Sequence, residues 1–274
     1  MISIVFGVIA RIFSNSYLNL FQKVLTAKGQ KSSVVNFYTY LGLSVLGLFF
    51  LDKINLTQEI LFYASIMGLL GSLGNYFIIK ALSMGDLSSI APINSYKPIV
   101  AMLVGFLWLH EIPTMQAILG IGLIVLGTYF LLGFAKVEVP HQAILYRVLA
   151  LFFSGIEAIF IKKIILLTNV TAAFFLWAFF GLLFALIFLA VSRHKPKIVS
   201  LKYQLLLISA VGVMQYSTNY VFSKMNVAYA LALFQLSTLL SVFLGASMFN
   251  EQNIKAKVVG SLIMIAGAVT IILA

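Results

Sequence analysis

Apolar stretches of about 20 residues, joined by short links, follow one another along the whole chain. Since a helix needs about 20 apolar residues to cross the hydrocarbon core of a bilayer, each stretch is long enough for one span. The sequence therefore predicts an all-α polytopic membrane protein with ten transmembrane helices and no separate soluble domain. We place the spans at residues 2–25, 33–51, 58–81, 86–109, 115–134, 142–167, 171–192, 202–225, 229–249 and 254–273.

The composition agrees with a membrane protein and excludes several other classes. The chain is 62% hydrophobic and 9% charged, whereas soluble domains are about 45–50% apolar and about 25% charged. A net charge of +11 would suggest nucleic-acid binding in a soluble protein, but here most Lys and Arg residues fall in the links. With no cysteine in the chain, disulfides and cysteine-bound metal are excluded.

The distribution of Lys and Arg predicts the orientation of the chain, because cytoplasmic links carry the excess of positive charge. The basic residues on one side are Lys28, Lys31, Lys136, Arg147, Arg193, Lys195, Lys197, Lys202, Lys255 and Lys257. This predicts that the 1–2, 5–6, 7–8 and 9–10 links are cytoplasmic and that both termini lie outside.

A lysine between two prolines interrupts the fourth apolar stretch near the middle of the bilayer. The segment reads Ala-Pro-Ile-Asn-Ser-Tyr-Lys-Pro over residues 91–98. A charge at that depth costs at least ~3 kcal/mol and should face a cavity rather than lipid. Pro92 and Pro98 remove backbone donors, so they predict a helix break. A broken helix beside a buried charge is typical of transporter binding sites, and we predict substrate contacts from Asn94, Ser95 and Lys97.

Other polar side chains within the spans are candidates for the same cavity. Arg11, Asn15 and Asn19 are four residues apart in span 1 and share one helix face. Asn75 in span 3 and Asn219 in span 8 are the other candidates for binding substrate. The alternative is that these amides only join neighbouring helices by hydrogen bonds. Trp108 and Trp177 are expected near the membrane interfaces.

Glu157 is the only acidic residue deep within a predicted span. Three roles are open to it: an ion pair with Arg11 or Lys97, a proton carrier during transport, or a contact with a substrate amine. Glu111 and Glu251 follow spans 4 and 9 and are expected to hydrogen-bond turns rather than touch substrate.

The two halves of the chain resemble each other, which predicts a duplicated five-helix unit over residues 1–134 and 142–274. A shift of 140 residues aligns several identical pairs, and a shift of 144 residues aligns Asn75-Tyr76 with Asn219-Tyr220. With an odd number of spans per unit, the second copy enters the membrane from the opposite side, which gives an inverted 5+5 repeat. The pairs at 140 are Ser14/Ser154, Lys23/Lys163, Gly105/Gly245, Glu111/Glu251, Gly120/Gly260 and Gly127/Gly267.

Several short segments carry a family resemblance: Lys80-Ala81-Leu82, Gly85, residues 88–93, Pro98, His110-Glu111, Gln116, Gly120 and residues 124–127, echoed by Asn250-Glu251, Gly260 and Gly267. In these residues the chain resembles the EamA-like family of the drug/metabolite transporter superfamily. The resemblance covers nearly the whole chain. It implies a central cavity between spans 1–4 and 6–9, with spans 5 and 10 peripheral. Two departures are the absence of counterparts to Pro92 and Pro98 from the second copy, which reads Gln-Leu-Ser-Thr over residues 235–238, and the predicted outside termini, which similar members place in the cytoplasm.

Together, the residues predict a secondary transporter of a small polar metabolite, with an anion or zwitterion favoured by Arg11 and Lys97. The alternatives are transport of cationic or quaternary-amine compounds through aromatic contacts, and handling of a lipid intermediate. No catalytic constellation, cofactor motif or metal spacing is present in the sequence. The expected setting is a monomer in the lipid bilayer of a bacterial plasma (inner) membrane, with the metabolite as its partner.

Overall fold

The computed structural model describes residues 2–49, 56–85, 91–132, 140–237, 239–240 and 254–273. Side chains within these ranges are described except those of residues 2, 91, 92, 95, 131, 132, 254–258 and 261. All regular structure in the described ranges is helical. The α-helices are α1 Ile2–Ala27, α2 Ser32–Leu48, α3 Gln58–Met84, α4 Lys97–Leu109, α5 Met115–Leu132, α6 His141–Leu167, α7 Val170–Ser192, α8 Leu201–Phe222, α9 Val227–Phe234 and α10 Ile254–Ile272.

Polar side chains mark where three of these helices begin. Thr57 accepts a hydrogen bond from the backbone N–H of Ile60 at the start of α3. Asn169 caps α7 through the N–H of Ala172 at 2.8 Å, and Asn226 caps α9 at 2.9 Å. The free N–H groups of a first helical turn need such acceptors, especially in a membrane where water is scarce.

Five of the helices, α1, α3, α6, α7 and α8, are long and apolar enough to cross a membrane. The apolar parts of α2, α4, α5 and α10 are shorter. Large apolar side chains such as Phe6, Phe49 and Leu107 point outward, as expected for a lipid-facing surface. The chain is therefore an integral membrane protein.

The predicted break in the fourth apolar stretch is present. Residues Ala91–Tyr96 form a 3₁₀ helix, and α4 begins at Lys97 with Pro98 in its first turn. Proline is tolerated there because first-turn N–H groups have no partner within the helix. The backbone of Pro92 lies in the 3₁₀ helix, but the start of this stretch, residues 86–90, lies outside the described residues.

The second half contains a related interruption without prolines. Helix α9 ends at Phe234, and Gln235 and Leu236 continue as a turn. The remainder of the predicted ninth span lies largely outside the described residues, which resume at Ile254. Both halves thus have a helix boundary near the same aligned positions, residues 95–98 in the first half and 235–238 in the second.

The helices pack in a pattern that relates the two halves. Five of the larger contacts are α1 with α8, α3 with α6, α2 with α7, α4 with α9 and α5 with α10, beside those of α3 with α7 and of α4 with α6. If each helix is exchanged for the one five places later, α1–α8 becomes α6–α3 and the other three pairs map onto themselves. These five contacts are therefore either exchanged or kept when the two halves are exchanged.

Glycines make the contact between α5 and α10, as expected for packing glycines. A Cβ atom on Gly120 would lie 2.8 Å from the carbonyl oxygen of Gly267, and one on Gly127 would lie 2.7 Å from that of Gly260. The two helices are therefore antiparallel. In the 140-residue alignment Gly120 corresponds to Gly260 and Gly127 to Gly267, so each contact is the image of the other.

Candidate functional site

Helices from both halves enclose one polar cavity of about 110 Å³. Apolar residues such as Leu18, Ile78 and Leu231 form much of its wall. Its polar lining includes Arg11, Asn15, Asn19, Tyr40, Asn75, Asn94, Lys97, Arg147, Ser154, Glu157, Trp177, Gln215 and Thr218. These polar groups, placed between apolar helices, give a small concave site in the membrane protein, the kind of place where small molecules bind.

Most of the residues that the sequence singled out come together here. Five of the predicted substrate contacts and the predicted proton carrier line the cavity: Arg11, Asn15, Asn75, Asn94, Lys97 and Glu157. Pro98 is buried behind them in the first turn of α4. The side chains of Ser95 and Pro92 lie outside the described residues.

Asn219 does not line the cavity. Its fully buried amide lies 2.9 Å from the side-chain amide of Gln215. It also lies within hydrogen-bonding distance of the backbone in the first turn of α7. These contacts join α8 to α7, so the structure gives Asn219 a helix-joining position beside the cavity.

Arg11 points into the cavity from α1 and is 8% exposed. Its Nε donates a 2.8 Å hydrogen bond to Thr218 Oγ1 on α8, and its guanidinium lies 5.0 Å from the ring centroid of Phe234. Its Nη1 has no hydrogen-bond partner within the described residues. A buried, unused N–H of a guanidinium is a strong potential donor to an anion.

Arg147 is a cavity residue that the sequence analysis placed with the charges of a membrane-surface link. That assignment was wrong, because Arg147 lies inside α6, is 3% exposed and lines the cavity. Its Nε has no partner in the described part of the chain. The available signal was its helical spacing from Ser154 and Glu157, which puts all three on one face of α6.

Glu157 lies on α6 and is 7% exposed. Its Oε1 accepts a 2.5 Å hydrogen bond from Nε1 of Trp177 on α7. A Cβ on Gly71 of α3 would collide with the same oxygen, so glycine at that position makes room for the carboxylate. Trp177 is 5% exposed and its ring centroid lies 4.9 Å from that of Tyr40, so its side chain lies inside the protein beside the carboxylate. Its position near a membrane interface stays a prediction.

Lys97 occupies the first position of α4, where the helix break opens into the cavity. It is within electrostatic range of Glu157, Arg11 and Arg147. Within the described residues, the salt bridge found at a limit of 4.0 Å joins Lys163 and Glu59. No nitrogen of Lys97 or Arg11 lies that close to the Glu157 carboxylate. The direct ion pair considered for Glu157 is therefore not formed in this structure.

The asparagines that line the cavity form hydrogen bonds with side chains of neighbouring helices. Asn75 accepts from Gln22 at 3.0 Å and donates to Asn36 at 2.6 Å. Asn15 donates to Ser237 at 2.9 Å, and Asn94 donates to Gln235 at 3.2 Å. The last two bonds connect α1 and the 3₁₀ helix of the first half to the turn after α9 in the second half.

A family model for the EamA-like transporter family matches the chain twice, over residues 1–133 and 141–273. The chain belongs to the EamA-like transporter family. Within this EamA-like protein, the two matches divide the cavity lining, with Arg11 and Lys97 in the first and Arg147 and Glu157 in the second.

A solved structure supports the fold of this EamA-like protein. A chain described only as "Crystal structure of protein" aligns over 99% of this chain and 97% of its own length, with a TM-score of 0.74 and 14% identity. At that identity the likeness concerns the fold alone. No curated protein matches the sequence.

Two lysines of the EamA-like protein bind backbone carbonyls at corresponding helix ends. Lys23 of α1 donates to the carbonyl of Gly85 after α3 at 2.7 Å. Lys162 of α6 donates to the carbonyl of Phe222 and, at 3.2 Å, to that of Met225 after α8. Cations at helix C-termini satisfy free carbonyls and the helix dipole.

Glu111 meets the expectation that it hydrogen-bonds a turn. Its Oε2 accepts a 3.0 Å hydrogen bond from the N–H of Val227 at the start of α9. Burial raises the pKa of Glu111, while this N–H and the nearby Lys162 act in the opposite direction. Glu251, its counterpart in the second half, lies outside the described residues.

Proposed function

We propose that this EamA-like protein is a secondary active transporter of a small anionic or zwitterionic metabolite, which binds in the polar cavity. The observation that carries the proposal is the convergence of Arg11, Lys97 and Arg147 on one cavity against a single carboxylate, Glu157, among the described residues. Charged side chains inside a membrane protein are costly and mark substrate or ion pathways.

The transport cycle that we propose is alternating access by an inverted 5+5 repeat of ten spans, with units at residues 1–134 and 142–274. The exchanged helix contacts and the image-related glycine pairs of α5 and α10 support this arrangement. The cavity lies where the two units meet. Movement of one unit against the other would then expose the cavity to each side of the membrane in turn.

The charge of the cavity selects the solute. Three cationic side chains repel a cation, and Arg11 already covers the Phe234 ring that could have held one by a cation–π contact. A carboxylate would instead find the unpartnered Nη1 of Arg11 and the ammonium of Lys97. The amides of Asn15, Asn75 and Asn94 would contact its uncharged polar groups.

Glu157 is the group that we propose to carry a coupling proton. It is a buried carboxylate beside the substrate cavity, and the charged or polar groups around it are Lys97, Arg11, Arg147, Tyr40 and Trp177. Binding of an anion next to it would favour its protonated form. We place this monomeric, non-enzymatic carrier in the plasma membrane of a bacterium.

Transport by purified protein in liposomes tests the proposal. The Lys97→Met variant should lose uptake of the anionic or zwitterionic solute that stabilises the wild-type protein in a thermal-shift screen. Lys224→Met removes an exposed lysine outside the cavity and should retain uptake. Unimpaired uptake by Lys97→Met would overturn the role of the broken helix, and stabilisation by amines alone would favour a cation carrier.

A further inference from the structure

Two buried arginines face the cavity from corresponding helices of the two halves. Arg11 comes from α1 and Arg147 from α6, and both are more than nine-tenths buried. Each has an N–H without a partner in the described part of the chain, Nη1 in Arg11 and Nε in Arg147. We infer that Arg147 is a second anion-binding residue and that the preferred substrate is a small dianion, an inference that rests on the proposed transport function.

The charges around the cavity support a doubly negative solute. With every group ionised, Arg11, Lys97 and Arg147 contribute three positive charges and Glu157 one negative charge, which leaves two positive charges in excess. Unbalanced buried charges are costly in a medium of low polarity. A dianion neutralises the excess, whereas a monoanion or a zwitterion leaves one or both positive charges unbalanced.

The hydrogen bonds distinguish Arg147 from an arginine that holds the fold together. Arg11 uses its Nε to bind Thr218, but Arg147 makes no hydrogen bond or ion pair within the described residues. A guanidinium has five N–H donors in a rigid fork that fits carboxylate and phosphate oxygens. As far as the described residues go, the whole fork of Arg147 therefore remains available to a ligand.

The position of the two arginines suggests how a dianion is held during transport. Because α1 and α6 occupy the same place in the two halves, one anionic group would be bound by each half. Lys97 lies within electrostatic range of both arginines. A solute with two anionic groups, or one doubly charged group, then bridges the two halves that move against each other.

The cavity volume limits the size of this dianion. At about 110 Å³, the cavity is small, which favours a ligand with few heavy atoms. That space suits a short dicarboxylate or a small phosphate monoester. Both are dianions near neutral pH, and their shared chemistry is a pair of negative charges on closely spaced oxygens.

Matched pairs of anions separate charge from size in the test. Succinate and its monoamide succinamate differ by one charge at similar size, as do methyl phosphate and methyl sulfate. Thermal stabilisation of the full-length protein in detergent at pH 7.5 gives an apparent dissociation constant for each. We expect the wild-type protein to prefer a dianion over its matched monoanion by at least tenfold, and the pair with the greater preference identifies dicarboxylate or phosphate as the substrate chemistry.

The Arg147→Gln variant should weaken dianion binding by at least about thirtyfold and monoanion binding by less than about threefold. Arg147→Lys should restore part of the dianion preference, because it keeps the charge without the fork. Arg193→Gln removes an exposed arginine far from the cavity lining and should change neither affinity. Without ligand, Arg147→Gln should melt no lower than the wild type, since Arg147 has no partner to lose among the described residues.

The possible failures are distinguishable. Equal wild-type affinity for each dianion and its monoanion would overturn the dianion inference while leaving an anion carrier in place. Equal weakening of both classes by Arg147→Gln, together with a lower melting temperature without ligand, would make Arg147 a structural residue and overturn its assignment. Absence of stabilisation by all four anions would overturn the dianion inference, while the proposed function would still be decided by the wider ligand screen and the transport assay of Lys97→Met.

Discussion

The indole Nε1 of Trp177 donates a 2.5 Å hydrogen bond to Oε1 of Glu157. The two residues lie on neighbouring helices, α7 and α6, and Gly71 of α3 provides the space that the carboxylate occupies. Trp177 therefore fixes the orientation of the acidic side chain in the cavity. Both residues belong to the second half of the chain, so the proposed movement of one half against the other would leave this bond intact.

The loss of stability on removing the Trp177 donor should show whether Glu157 is ionised. A hydrogen bond to a charged group contributes about 1.5–3 kcal/mol and a neutral one about 0.5–1.5 kcal/mol. We expect Trp177→Phe to lower the free energy of unfolding more in the wild type than in a Glu157→Gln background. Trp177→Phe removes the same indole volume in both backgrounds. Subtracting one loss of unfolding free energy from the other therefore removes that contribution and leaves the effect of the hydrogen bond.

Denaturant or thermal unfolding of the four proteins at pH 7.5 measures this cycle. Trp108→Phe is a matched control, because Trp108 is half-exposed and packs on Phe160 away from Glu157. Its cost should be the same in both backgrounds. Equal costs for Trp177→Phe in both backgrounds would mean that Glu157 is protonated in the resting protein.

The pH dependence of transport tests whether Glu157 carries a proton. If it does, uptake by the wild type changes with an imposed proton gradient, and Glu157→Gln flattens both that response and the pH profile, because glutamine cannot titrate. Initial rates in liposomes between pH 5.5 and 8.5 are the measurement. An unchanged profile in Glu157→Gln would leave Glu157 with a structural role.

The sequence predicted the parts of the site that follow from the free-energy cost of a polar or charged side chain inside a membrane. A lysine between prolines in an apolar stretch has few places to go except a cavity, and Lys97 and Asn94 indeed line one. Arg11, Asn15 and Asn75 were predicted for the same reason. The break at residues 91–96 also followed, since proline cannot continue the hydrogen-bond pattern of a helix.

The parts that were missed depend on contacts between distant helices. Arg147 lies near the start of a helix, where sequence does not distinguish a surface charge from one that turns inward. Trp177 has the amphipathic character of an interfacial residue, and only the position of Glu157 opposite it shows why it is buried. Asn219 shows the reverse case, because its polar group is satisfied by α7 and Gln215 beside the cavity.

The glycine contact between α5 and α10 predicts a position-specific loss of stability. Gly120→Ala places a methyl group against the carbonyl oxygen of Gly267 and should destabilise the protein by about 1–3 kcal/mol. Gly122→Ala on the same helix meets nothing within 4 Å and should be neutral or stabilising by up to about 1 kcal/mol. Melting temperatures in detergent compare them, and equal effects would contradict the close contact.

Adjacent lysines on α6 provide a second matched pair. Lys162 binds the carbonyls of Phe222 and Met225, so Lys162→Met should cost about 1–2 kcal/mol by leaving them unpaired. Lys163 makes an exposed pair with Glu59 at 3.9 Å, and Lys163→Met should cost less than about 1 kcal/mol. Unfolding of both variants in detergent measures the contrast. A larger loss in Lys163→Met would show that capping at this helix end contributes little.

Glu111 predicts how stability changes with pH at the α8–α9 link. Burial raises its pKa above the ordinary value of 4.5, so the folded protein holds this proton more tightly than the unfolded chain. The contribution of Glu111 to stability is therefore most favourable below about pH 4.5 and falls as the pH rises through the raised pKa. Glu111→Gln cannot titrate but keeps the oxygen that accepts from Val227. The melting temperature of Glu111→Gln relative to the wild type should accordingly increase from pH 4.5 to neutral pH.

The exposed Glu59 is the control for this comparison. Its side chain is 53% exposed, so Glu59→Gln should shift the melting temperature little at any pH in the range. If Glu111→Gln instead became less stable than the wild type as the pH rises, the hydrogen bond from Val227 and the charge of Lys162 would outweigh burial. Glu111 would then act as an ionised cap that stabilises the start of α9.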